Sequence, residues 1–439
     1  MKGLILIYAV TLFGSIAALR SPLIGLSVYV CYAVLRPQFI WGFAGDLGGI
    51  SLVVGLATLV GWAFQGFGSM KLGSAKSIVL TLVFFVAWAA LSSTQAVNSA
   101  VAQAELVPMA KFVVPFLIGA TLIDSEQRSR TMLWIIVLAQ GYVSFEMNLE
   151  YLVKGINVAG DGFGGMDNNC FGVSLVSTIG PAIALLLGAK RWRERALAGA
   201  AAALILHTTL LTFSRGAMVG LLIVGFSAFV IMPKRPKYMA ALALAGLLAL
   251  RLTGPQLMAR YASALADSEE RDGSAESRLD LWRDCLTIAA EKPVFGVGPG
   301  NFPVVASSYG WTEGKQAHSV WMQTVAENGV PGLLALVLFF GIAIVKLWPI
   351  ARARQTDENR YRVAVASGII MSLVGFAVAG QFVSLAGLEI PYYVTMIAVG
   401  IINTPARAAA ATLRTAELRQ PMSPRGPLGA GALARPGRP

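Results

Sequence analysis

The stretch VPGLLALVLFFGIAIVKLW (330–348) decides the fold class. It carries one charge, Lys346, close to its end, and it does not alternate apolar with polar residues. Alternation would mark a half-buried strand. An unbroken apolar run near twenty residues long has the length of a helix crossing a bilayer. Runs of the same kind recur outward from it, at 3–19, 22–35, 50–64, 76–92, 106–123, 131–149, 171–189, 196–213, 216–232, 237–253, 361–380 and 388–403. The first two are short enough to form a tilted hairpin, so about twelve or thirteen transmembrane helices are expected. In lipid only helices and closed barrels satisfy the backbone, and runs without alternation exclude a barrel. The expected fold is an all-α polytopic membrane protein.

Composition agrees. Of the 439 residues, 56% are hydrophobic and 13% are charged, against about 25% charged in a soluble domain. A net charge of +12 would suit a nucleic-acid partner, but the basic residues sit in short connections and at the C-terminal end, which is a topology signal. No nucleic acid is expected. One set of alternate connections holds Lys71 and Lys76, Arg128 and Arg130, Lys190 to Arg195, Lys234 to Lys237, and Arg352 to Arg362. The positive-inside rule makes that side cytoplasmic. The other connections, 36–49, 93–105, 150–170 and 254–329, are weakly charged or long, and they are expected on the periplasmic side of a bacterial inner membrane. The first run lacks a basic leader beyond Lys2 and reads as a retained span. From Ala406 the chain is rich in Ala, Pro, Gly and Arg, the composition of a disordered, basic cytoplasmic tail.

The long connection 254–329 holds the most chemistry. An acidic segment (267–277) leads into SRLDLWRDCLTIAAEKP (277–293). Leu279, Trp282, Leu286 and Ala289 recur there at helical spacing, so an amphipathic helix ended by Pro293 is expected. FGVGPGNF (295–302) is a glycine-rich turn. It is no nucleotide loop, because no strand precedes it and no Lys-Ser/Thr pair follows. AHSVWMQTVAENGVPG (317–332) reads as a helix that starts near His318 and is capped by Gly329.

Three residues stand out. Arg215 lies in TFSRGA (212–217) between two apolar runs, Arg278 begins the amphipathic helix, and His318 begins the last one. Two guanidiniums can clamp a diphosphate in a bidentate way. A histidine at a helix N-terminus is disfavoured as imidazolium, and a neutral imidazole accepts a proton. Each residue also has a plainer reading: a snorkelling arginine, a surface arginine and an exposed histidine. Asp167, Asn168 and Asn169 suit either sugar hydroxyls or an Asx turn capping the next span. Glu327 suits either orientation of a reacting group or helix capping. His207, inside an apolar run, reads as a packed intramembrane residue. Cys31, Cys170 and Cys285 show no metal or disulfide spacing, and no metal ligand set or cofactor is expected.

SRGA, SAESRLDLW, the PxxGxGxxNF turn and AHSVWMQTVAENG, in this order, resemble the C-terminal signature of the bacterial O-antigen ligase/polymerase family. The resemblance covers residues 160–350 or so. RPQFIWGFAGDL (36–47) and MDNNCF (166–171) also resemble the exosortase-associated O-glycosylation ligases, with a departure at Asn328, where that subgroup has histidine. The family implies a metal-independent glycosyltransferase similar to the C type. It would take an undecaprenyl-diphosphate-linked glycan and pass it to an acceptor hydroxyl on a lipid A core, a polysaccharide or a protein, at the periplasmic face. Arg215 and Arg278 match the arginines held to bind the diphosphate, and His318 matches the histidine held to activate the acceptor. The chain then divides into N-terminal transmembrane helices (1–160), a ligase-like core (161–405) and the tail (406–439). A polymerase of the same family, or a transporter or flippase, remains as an alternative. A transporter would show paired halves and charges at the midplane, whereas the polar candidates here crowd into one connection.

Overall fold

A computed structural model describes residues 2–41, 49–252, 273–384 and 388–419. Fourteen longer helices follow one another there: α1 (Lys2–Arg20), α2 (Pro22–Leu35), α3 (Ile50–Phe64), α4 (Lys76–Ser93), α5 (Ser99–Leu122), α6 (Glu126–Lys154), α7 (Asn168–Gly188), α8 (Trp192–Leu211), α9 (Arg215–Ile231), α10 (Pro236–Leu252), α11 (Gly273–Glu291), α12 (Val320–Ala351), α13 (Arg360–Ala379) and α14 (Ile390–Arg419). Among the described residues the only β feature is one isolated bridge between Phe163 and Met166. Every apolar run read from the sequence falls on a helix of its own, and α11 is a helix as expected, but it buries Leu281, Cys285 and Ile288, while Leu279 and Leu286 of the expected face are exposed. Among the described residues eight helices are long and apolar enough to cross a membrane. Three more, α3, α9 and the Ile390–Thr404 part of α14, are apolar but shorter. The chain is an all-α, multi-pass membrane protein.

Small residues set the closest helix contacts, as expected where lipid removes the hydrophobic drive between helices and close packing has to replace it. A Cβ on Gly180 of α7 would lie 2.1 Å from the Gly368 carbonyl oxygen of α13. The Ser372 hydroxyl then donates across the same seam to the Ser177 carbonyl. On α9, a Cβ on Gly220 would lie 2.9 Å from Ala379 Cβ of α13.

The basic connections meet one another at one end. Arg130 pairs with Glu194, Ser129 and Tyr361 share a hydroxyl hydrogen bond of 3.2 Å, and Arg352 donates to the Val230 carbonyl at 3.1 Å. The weakly charged connections meet at the other ends of these helices. Asn157 donates to the Leu211 carbonyl at 2.8 Å, Arg36 to the Gly164 carbonyl, and the Asn98 amide to Asn301 Oδ1 at 2.7 Å.

Several local expectations shift. α11 begins at Gly273, inside the segment read as an acidic lead-in, and the rest of that lead-in lies outside the described residues. α12 begins at Val320 rather than at His318, because the Ser319 hydroxyl takes the Met322 amide as N-cap at 3.2 Å. Gly329 interrupts α12 instead of ending it, with φ 65° and ψ −174°, a conformation only glycine adopts readily. The two regions divided at residue 160 pack into one compact unit, Met1–Thr404. Pro405–Pro439 forms a second unit. Its described part, through Arg419, is helical where the tail was expected to be disordered, in keeping with its alanine-rich sequence.

Candidate functional site

The segment 281–326 builds a small core of its own from Leu281, Cys285 and Ile288 of α11 with Val297, Phe302, Ala317 and Ala326. The glycine-rich turn ties this core to α12. The Val297 amide donates to the Ala326 carbonyl and the Gly298 amide to the Glu327 carbonyl, both at 2.9 Å. Gly298 has φ 98°, and a Cβ there would stand 2.2 Å from Ala96 Cβ. The turn therefore needs glycine for both conformation and close approach.

Trp282 is the hinge-pin of the candidate site. It lies one helical turn after Arg278 on α11, so the two share a face. Its indole Nε1 donates to the Ala317 carbonyl at 3.1 Å, which fixes His318 beside that face. Its ring lies 6.3 Å from that of Phe382. Phe382 in turn packs on Gly216, where a Cβ would be 2.7 Å from Phe382 Cβ. Arg215 is the residue before Gly216 and the first of α9. Gly216, the neighbour of Arg215, is thus joined through Phe382 to Trp282, and the charge of Arg278 acts on His318.

His318 is half-buried and holds a left-handed φ of 50° between Ala317 and the cap Ser319. Burial, then the cations Arg278 and Lys315, hold its imidazole below the usual histidine value, while Asp167 pulls the other way. The expected cause was a helix dipole. Burial and neighbouring cations act here beside that helix end, since His318 lies just before the cap Ser319.

Asp167 caps α7, its Oδ1 accepting the Cys170 amide at 2.7 Å. Asn168 donates to the Thr212 carbonyl at 2.9 Å. Asn169 Oδ1 accepts from the Ser214 hydroxyl at 2.8 Å. Ser214 is itself the cap of α9. The two asparagines therefore spend these groups on tethering the turn that carries Arg215, and Phe213 in that turn has a left-handed φ of 51°. His207 shares a hydrogen bond with Asn148 inside the helix bundle, as its packed reading expected.

Residues 200–337 match the O-antigen ligase family. That span contains Arg215, Arg278 and His318 with all the contacts that link α11 to His318. The match supports an O-antigen ligase assignment for this part of the chain. Residues 1–185 match a second family, of unknown function. Neither match names the exosortase-associated subgroup. No curated protein matches the chain. The matched family supports a membrane function of glycan ligation or polymerisation.

The chain also has a cavity of about 800 Å³ that the sequence did not announce. Arg215, Arg278 and His318 do not line it. Gln316 and Gln323, on either side of His318 in the chain, do. Its charged lining is Arg36, Lys111, Glu105, Glu327 and Glu389. The charges of Arg36 and Lys111 act on Glu389, which accepts from the Tyr393 hydroxyl at 2.7 Å. Glu327 accepts from Gln323 Nε2 at 3.0 Å and from the Phe302 amide at 3.3 Å. Lys111 and Glu389 were legible in principle, since an ionisable residue inside or at the edge of an apolar run is a functional candidate by default.

Proposed function

We propose that the chain transfers a glycan from undecaprenyl diphosphate to an acceptor hydroxyl, at the periplasmic face of the inner membrane. The observation that carries this reading is the Trp282 to Ala317 hydrogen bond, which sets a depressed-pKa histidine beside the helix face that bears Arg278. The acceptor oxygen attacks the anomeric carbon as His318 takes its proton. The bond from that carbon to the diphosphate oxygen breaks, and the electron pair leaves with the diphosphate. Arg215 and Arg278 receive the growing negative charge with planar, permanently charged donors. Asp167, near His318, favours the imidazolium as it forms. The imidazolium then returns its proton to water.

The periplasmic assignment follows from the basic connections, which gather at the end away from this site. The core of the activity is assigned to residues 161–405. Among the described residues no group of three His, Cys, Asp or Glu side chains is placed to hold a metal, and the two arginines supply the charge that a metal would otherwise bring. The test is transfer by the purified chain from a defined polyprenyl-diphosphate glycan, in the presence of EDTA, to lipid A core, to polysaccharide and to protein. Transfer to the same repeating glycan alone identifies a polymerase. Lipid flipping without transfer would favour the transporter reading instead.

A further inference from the structure

The cavity beside Gln316 and Gln323 has lining groups that lack partners. Gln323 Oε1, Asn328 Oδ1 and Ser384 Oγ all line it, and none has a hydrogen-bond partner among the described residues. Each of these residues is more than nine-tenths buried. Leaving such groups unpaired is costly, so they call for a ligand. Their chemistry says which kind. Gln323 Nε2 donates to Glu327 Oε1, which also takes the Phe302 amide and so serves as an acceptor. The orientation of the amide is therefore fixed, and the oxygen is the atom left over. Asn328 likewise offers a carbonyl oxygen, and Ser384 a hydroxyl that can give or take.

Carbonyl oxygens need donors. A diphosphate presents acceptor oxygens and cannot supply them. The lining pairs Arg36 and Lys111 with three acidic side chains, Glu105, Glu327 and Glu389, and so is no cluster of cations built for an anion. A polyhydroxylated sugar supplies such donors, and the aromatic side chains of Tyr29 and Phe39 in the lining suit its apolar C–H faces. We infer that this cavity binds a neutral sugar unit of the acceptor glycan, held by Gln323, Asn328 and Ser384, while the diphosphate is handled at Arg215 and Arg278. The inference rests on the proposed transfer reaction for its acceptor role, because the segment from Gln316 to Gln323 carries His318 between its two lining residues.

Methyl glycosides of glucose, galactose and N-acetylglucosamine serve as lipid-free, phosphate-free probes. Saturation-transfer NMR with the full chain in nanodiscs should show at least one of them bound. Gln323→Met should weaken that binding roughly tenfold, the loss expected for one buried polar contact left unmade. Ser384→Ala, a smaller change that guards against misfolding, should weaken it several-fold and raise the acceptor KM more than it lowers kcat. Inorganic diphosphate should not displace the glycoside. Binding of none of the three probes, displacement by diphosphate, or unchanged binding in both variants would overturn the inference. His318→Ala should bind the glycoside normally while losing transfer. If His318→Ala transferred at the normal rate with glycoside binding intact, the catalytic reading would fall and the sugar site would stand.

Discussion

The Trp282 indole donates to the Ala317 carbonyl at 3.1 Å across thirty-five positions of sequence. One hydrogen bond thus couples the helix that carries Arg278 to the residue before His318. If the positioning of His318 matters, it should be felt at Trp282. Trp282→Phe keeps the ring against Phe382 and removes the donor. We expect about a fivefold loss in kcat, the size of one net hydrogen bond, with donor KM little changed. Steady-state kinetics on folded protein checks the split, and a pure loss of stability at normal kcat would contradict it.

His318→Ala should lose transfer by about a hundredfold or more, the usual contribution of a general base. The pH profile adds a signed test. The His318 imidazole titrates below the usual histidine value, so activity should rise with pH through a value under about 6.5 and be level above it. Arg278 is one of the cations that depress it. Arg278→Ala should therefore move that limb to higher pH, besides weakening donor binding. The same depression makes the folded state less stable as pH falls below the unfolded histidine value, because there the unfolded chain binds the proton more readily. A profile flat down to pH 5 would remove the base assignment.

Arg215→Lys keeps the charge and loses the guanidinium fork. Transfer should fall by roughly tenfold or more, because a bidentate diphosphate contact becomes a point charge. Assays at matched membrane expression decide it, and a normal rate would reduce Arg215 to a topology residue.

Gly298→Ala tests the dock between the turn and the loop after α4. The added Cβ would meet Ala96 Cβ at 2.2 Å, at a φ of 98°. The cost should be on the order of 1–3 kcal/mol, read as a lowered thermal midpoint in detergent. An unchanged midpoint would show that the turn shifts freely.

Ser307 is exposed in the 273–319 connection. With Ser307→Cys in intact cells, a membrane-impermeant thiol reagent should label the new residue without lysis. Labelling only after lysis would reverse the orientation.

Two kinds of information separate in this protein. The run 330–348 and its counterparts announce helices by themselves, because an apolar segment of bilayer length has one way to satisfy its backbone in lipid. The basic connections likewise sort to one side by their order along the chain alone, as charge resists crossing the membrane whatever the packing. The motif residues Arg215, Arg278 and His318 can be picked out on type and local context. What sequence does not supply is distance. That Trp282 ties α11 to the residue before His318, that Arg278 helps depress His318, and that Arg36 meets Gly164 all depend on contacts 35 to 128 positions apart. Hydropathy and periodicity report only which face of one helix avoids water. Which helices face each other is settled by side-chain fit, as where Gly180 lets α7 reach the backbone of α13. The orphaned oxygens of Gln323 and Asn328 exist only once that packing has removed their other partners.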